Sequence, residues 1–166
     1  MPDREAVQIT EIPARAVVRL KPSSQAEMSE ASIMPSGLGE RVRVLSFSPC
    51  EWLVVSDVIE GPRLAERLQA HVAGEAMAVV DLSCALKALW IEGPAAREVL
   101  RKGCGLDLHP RAFPAGHCTR TRLGQLAVIV DCTDPAPRFD LYVGRSYVTY
   151  LKSWLIDAAA EFRDQS

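Results

Sequence analysis

A chain of 166 residues with 48% apolar and 24% charged side chains has an ordinary globular composition. It is long enough to bury about 70% of its unfolded surface without a disulfide or metal staple. A formal charge of −2 and a pI of about 5.9 argue against the basic surface that non-specific nucleic-acid binding needs. No apolar run approaches the roughly 18 residues of a membrane helix, and Met1 to Glu5 lead into no apolar stretch, so neither a span nor a secretory signal is expected.

Residues 1–40 read as an N-terminal strand and loop segment, partly flexible. Short β-prone pieces carry Val7, Ile9 and Ile12, then Val17 and Val18. Pro22, Ser23, Ser24, Pro35, Ser36, Gly37 and Gly39 mark residues 21–40 as a loop. Residues 41–166 read as one α+β domain in two halves, about 41–92 and 93–166. Strand alternation begins at 41–47, with Val42 and Val44 on one face, and Glu51–Ser56 is a second, apolar strand. Pro62 opens a helix whose stripe is Leu64, Ala65, Leu68 and Val72, and Gly74 ends it. Residues 76–82 and 86–91 are two more strands.

In the second half, Pro94 is expected in the first turn of a helix carrying Ala96, Val99 and Leu100. Arg101 and Lys102 suit its C-terminal dipole, and Gly103 is its expected left-handed stop. Residues 120–130 read as one strand. Residues 138–143 alternate, with Phe139, Leu141 and Val143 facing one way and Asp140 and Tyr142 the other. Ser146 is expected to cap the longest helix, whose buried face is Tyr147, Leu151, Trp154, Leu155, Ala158 and Phe162. Both Glu51–Ser56 and residues 139–144 run promptly into an amphipathic helix, a faint internal repeat.

The usual catalytic constellations are absent. Gly103-Cys104-Gly105 is too short for a phosphate loop and follows a helix, whereas a dinucleotide fingerprint follows a strand. Cys104, His109, His117 and Cys118 are spaced C-x4-H-x7-H-C, which matches no zinc pattern. Cys104 follows two cations, but a helix C-terminus disfavours a thiolate, so it reads as a packed thiol. Ser83, Ser146, His71 and Asp131 form no triad-like order. The five cysteines, Cys50, Cys84, Cys104, Cys118 and Cys132, are odd in number and widely spaced, which fits reduced thiols in a cytoplasmic protein. Trp52, Trp90 and Trp154 read as core. Arg120, Arg122 and Arg138 read as solvated strand ends.

The run Gly93-Pro94-Ala95-Ala96-Arg97-Glu98-Val99-Leu100, followed by Lys102-Gly103-Cys104-Gly105-Leu106-Asp107-Leu108-His109-Pro110, resembles the gamma subunit family of heterotetrameric sarcosine oxidase. Phe113, Gly116, Thr121, residues 139–143 from Phe139, and Arg145-Ser146 continue the resemblance in order, from about Val42 to Phe162. The family is related to the folate-binding domain of the glycine-cleavage T-protein. The resemblance implies that α+β fold, with two similar halves, mixed or antiparallel sheets and exchanged first strands. It implies a complex that oxidatively demethylates sarcosine to glycine, giving peroxide and a one-carbon unit. FAD, FMN, NAD, tetrahydrofolate and zinc would sit in other subunits, with none in this chain.

The partners implied are the alpha, beta and delta subunits, with neither nucleic acid nor membrane. This chain would be architectural, and Gly93, Pro94, Arg97, Leu100, Gly103, Cys104, Asp107, His109, Pro110, Phe139, Arg145 and Ser146 would be mainly structural motif positions. Exposed members among Tyr142, Arg145, Tyr150 and Trp154 are the candidate partner contacts, because interfaces favour aromatic and Arg anchors. T-proteins carry an acid just after a glycine-led strand. The comparable residues 124–130 are apolar here, and Asp131 is expected beyond the strand's end. The alternative readings are a stand-alone folate-binding or aminomethyltransferase-like protein, and a homo-oligomeric binding module that reuses the fold.

Overall fold

The computed structural model describes residues 6–13, 15–23 and 41–162. The expected loop lies outside them from residue 24 to 40, as do residues 1–5. The chain divides into two compact units, residues 14–86 and residues 1–13 with 87–166. The division falls at these points, and not at 40 and 92, because β1 (Gln8–Ile12) and β2 (Ala16–Pro22) join different sheets.

The first unit holds β2 (Ala16–Pro22), β3 (Val42–Ser48), β4 (Glu51–Ser56), α1 (Gly61–His71) and β5 (Met77–Asp81). Its four strands lie in the order β3-β4-β2-β5, with all three pairings antiparallel. Period-two alternation sends Ala16, Val18, Leu20, Trp52 and Val54 to one face. Leu64, Leu68 and Val72 of the helix meet them there. Leu64 and Leu68 are wholly buried, worth about 1.5–3 kcal/mol each. Pro62 lies in the first turn, and Gly74, at φ +96°, turns the chain after the helix, as its sequence position predicts.

The second unit contains β1 (Gln8–Ile12), β6 (Leu86–Glu92), α2 (Ala96–Arg101), β7 (Cys118–Leu123), β8 (Leu126–Asp134), β9 (Arg138–Gly144) and α3 (Val148–Ala159). A single 3-10 turn, Arg145–Tyr147, leads into α3. The sheet order is β1-β6-β9-β8-β7. Leu89, Ile91, Phe139, Leu141 and Val143 share one core with Val99 and Leu100 of α2 and Leu151 and Leu155 of α3.

Strand order exposes the internal repeat. In one sheet β3-β4-β2-β5 are neighbours, and in the other β8-β9-β6-β1, with β7 added at the edge. Each hairpin, β3-β4 and β8-β9, runs into a core helix. The strand next to β2 is β5, which follows α1, whereas the strand next to β6 is β1, taken from the start of the chain. The start of the chain thus completes the second sheet, while the first sheet is built from residues 16–81 alone, so the transfer is one-way and not the expected exchange of first strands.

Several local expectations are corrected. Residues 120–130 are not one strand: Gly124, at φ +58°, allows a tight turn between the paired Leu123 and Leu126. Pro94 precedes α2, which begins at Ala96. Gly103 is not left-handed, since the glycines with positive φ are Gly74, Gly93, Gly116 and Gly124. Ser146 makes no capping bond and is exposed within the 3-10 turn. Tyr147 is 55% exposed, because the extra 3-10 turn rotates it off the buried stripe.

Candidate functional site

The motif residues gather around α2 and its two flanking turns. Gly93 has φ +123°, and a Cβ there would lie 2.7 Å from the Ala6 carbonyl oxygen. Its N–H donates to Pro137 O at 3.1 Å, and the Ala95 N–H donates to Ala6 O at 3.0 Å. Gly93 is thus where residues preceding β1, the loop before β9 and the start of α2 meet. Leu100 is buried, and its carbonyl accepts the N–H groups of Gly103 and Cys104.

Gly103 is a glycine because of its neighbour. A Cβ there would lie 2.5 Å from Trp154 Cζ2 and 3.0 Å from Gly124 N. The Trp154 indole lies against Gly103 and Gly124, and Gly124 N–H donates to Gly103 O at 2.9 Å. Lys102 reaches the far end of α3, where its Nζ donates to Ala158 O at 2.5 Å. It also meets Glu161 at 2.5 Å and sits 4.9 Å from the centre of the Phe162 ring. This cation therefore caps the C-terminal end of α3 rather than serving the dipole of α2.

Arg97 points back across the unit. Its Nη1 donates to the carbonyls of Leu108 and Phe113, and its guanidinium lies 5.0 Å from the centre of the Phe139 ring. The turn it holds is also braced from within. His109 N–H donates to Asp107 Oδ1 at 2.9 Å, and Arg111 N–H donates to His109 Nδ1 at 3.2 Å. Asp107, His109 and Pro110 are themselves exposed. Cys104 is buried, with its Sγ 3.6 Å from Thr121 Oγ1 and accepting from Leu106 N–H.

The residues tested for chemistry are dispersed. Among the described residues no three His, Cys, Asp or Glu side chains gather as a metal site would require. Ser83 Oγ accepts the Val17 N–H at 3.0 Å and donates to Asp81 at 2.5 Å, which fixes a turn beside Gly61. Ser83 thus engages Asp81 and the Val17 backbone, not His71. None of the five cysteines forms a disulfide. Cys132 is fully buried, and burial pushes its thiol pKa up, against the opposing pull of the Arg97 guanidinium.

The second face of the larger sheet is where the sequence reading fell short. Asp131 lies within β8, not beyond it, and stands opposite Asp140 of β9. Their exposures are 0% and 3%. Arg138 Nε lies 3.8 Å from Asp140, its Nη1 lies 3.5 Å from Glu92, and the guanidinium stacks 5.0 Å from the Trp90 ring. Alternation alone does not separate a solvated face from a second buried one. Apolar Ile129 in line with Tyr142 is the one signal that could have found it.

Burial also sorts the four candidate contact residues. Tyr142 is 1% exposed and is excluded as a surface contact of this chain. Trp154 is half-buried against the two glycines. Arg145 is exposed, and Tyr150 is 50% exposed. Tyr147, assigned to the core by helical spacing, joins them on the surface.

Comparison with known proteins gives one answer. The model of the sarcosine oxidase gamma subunit family matches residues 30–161. The gamma subunit of sarcosine oxidase from an Arthrobacter species is 35% identical over 96% of this chain and 80% of that protein. The one from Corynebacterium sp. strain U-96 is 33% identical over 96% and 79%. Among solved structures, a chain of the heterotetrameric sarcosine oxidase from Corynebacterium sp. U-96, in complex with pyrrole 2-carboxylate, superposes with a TM-score of 0.82 at 30% identity. That match covers 98% of this chain and 88% of the other. Aminomethyltransferase T of the glycine cleavage system from Bartonella henselae gives a TM-score of 0.68 at 15% identity, over 92% of this chain and 46% of that one, and shows the shared folate-binding-domain fold. The ordered motif, the α+β fold with β1 carried into the second sheet and the family match together establish that the chain belongs to the sarcosine oxidase gamma subunit family.

Proposed function

We propose that this chain is an architectural subunit of a heterotetrameric sarcosine oxidase, assembled with alpha, beta and delta subunits. The observation that carries the reading is the likeness, over 98% of the chain, to a chain of such a complex. The complex would oxidise the N-methyl group of sarcosine, leaving glycine, peroxide and a one-carbon unit. It is an oxidoreductase through its larger subunits, which would carry FAD, FMN, NAD and tetrahydrofolate, with zinc in the smallest.

The use made of the motif's polar groups supports a non-catalytic role. Arg97 Nη1 and Lys102 Nζ donate to backbone carbonyls, and Asp107 and His109 brace their own turn, while the buried Arg97 Nη2 makes no hydrogen bond. Groups engaged with the backbone in this way hold a shape rather than move protons. The test is affinity capture of the chain from its own organism at native expression. Two large subunits and one small one should co-purify, with flavin absorbance and sarcosine-dependent peroxide release. Recovery of the chain alone, or tight flavin binding by the isolated chain, would refute the reading.

A further inference from the structure

Among the described residues three large hydrophobic side chains are markedly exposed, Val58, Tyr147 and Tyr150. The two tyrosines lie three residues apart at the start of α3, away from the face that buries Leu151, Leu155 and Ala159. One edge of the Tyr147 ring lies beside Gly144, where a Cβ would be 3.3 Å from Cδ2, and the rest of the side chain is open to solvent.

Arg145 is exposed beside the tyrosines, and the nearest acid on their side of α3 is Asp157, about two turns further along. Neither the 3-10 turn nor α3 has an acidic residue in its first turn, and neither is capped by a side chain. The start of the helix therefore adds its own partial positive charge to that of Arg145.

We infer that the face formed by Arg145, Tyr147 and Tyr150 docks an acidic surface on another subunit of the complex, an inference that rests on the reading above. Tyrosine and arginine are the side chains that most often dominate binding energy at interfaces. A second copy of this chain is a poorer occupant. A two-fold contact centred on the two tyrosines would leave Arg145 without an acid to meet, since the first turn of α3 has none.

The experiment is assembly of the complex from co-expressed subunits, comparing wild type, Tyr150→Ala and Arg145→Glu with Arg63→Glu, an exposed change on α1. Circular dichroism checks that each variant is folded. The fraction of chain bound is read by native mass spectrometry across a dilution series. Tyr150→Ala and Arg145→Glu should each weaken retention of this chain at least about tenfold, with Arg63→Glu unchanged. If wild type assembles and both variants hold as tightly, the docking surface is refuted while the subunit reading stands. If wild type never assembles, both fall. A homodimer of the isolated chain that Tyr150→Ala dissociates would also overturn the proposal.

Discussion

Replacing Gly103 with alanine tests whether the motif turn and α3 are one packed unit. The new methyl would sit 2.5 Å from Trp154 Cζ2 and 2.7 Å from Cη2, where carbon atoms normally approach to about 3.5–4.0 Å. Relief needs a shift of about 1 Å or more. The Gly124 N at 3.0 Å blocks the methyl on another side, and buried Leu151 and Leu155 resist movement of the helix. Overpacking of this kind costs about 1–3 kcal/mol. Gly103 lacks a positive φ, so alanine also restricts the unfolded chain, which returns about 0.4–1 kcal/mol. The expected net loss is about 1–2 kcal/mol, or about 2–8 °C in Tm. The assay is urea denaturation followed by tryptophan emission, run on Gly103→Ala, Trp154→Ala and the double variant. Removing the indole gives the methyl room, so the double variant should lose about 1–2 kcal/mol less than the sum of the singles. Additive losses, or a rise in Tm for Gly103→Ala, would refute the contact.

Three further outcomes are expected. Gly93→Ala combines a positive φ with a collision against the Ala6 carbonyl and should cost about 3 kcal/mol in urea denaturation; a loss below about 1 kcal/mol would contradict it. Arg97→Met keeps the length of the side chain but removes its bonds to the Leu108 and Phe113 carbonyls, each charge-assisted bond being worth about 1.5–3 kcal/mol. The Ala112 and Phe113 amides, which donate to His109 O, should then exchange with deuterium faster than those of β2, and equal rates would count against the role given to Arg97. The raised thiol pKa of Cys132 makes its contribution to stability fully present below the ordinary value of 9.0, and that contribution is lost as pH rises through the higher folded value. Cys132→Ala should flatten the alkaline side of the stability profile, while in the native protein exposed Cys84 reacts with a thiol reagent and Cys132 does not.

What could be read from the sequence divides along a physical line. Elements set by one-dimensional periodicity are legible: Glu51–Ser56 has the bounds expected of it, and Leu64, Leu68, Leu151 and Leu155 are the buried helix positions. Features that depend on what a residue meets from elsewhere in the chain are not. Gly103 looks like a helix stop because glycine commonly ends helices, yet the reason for it is a tryptophan 51 positions later. Lys102 looks like a partner for its own helix and instead closes α3. Gly124 looks like the start of a strand and is the turn between two.

The same distinction explains the motif. A pocket for chemistry leaves some polar groups available to a substrate, whereas Gly93, Arg97, Lys102 and Gly103 each join α2 to a segment distant in sequence. Their targets are the residues before β1, the 108–113 turn, the end of α3 and the Trp154 ring. Such a set holds the second half of α3 against α2. In this fold the motif and the exposed tyrosines are therefore linked: the first holds the helix, and the helix presents the second. Weakening the motif should disturb assembly through the position of α3, even though Gly103 and Gly93 are not part of the proposed docking face.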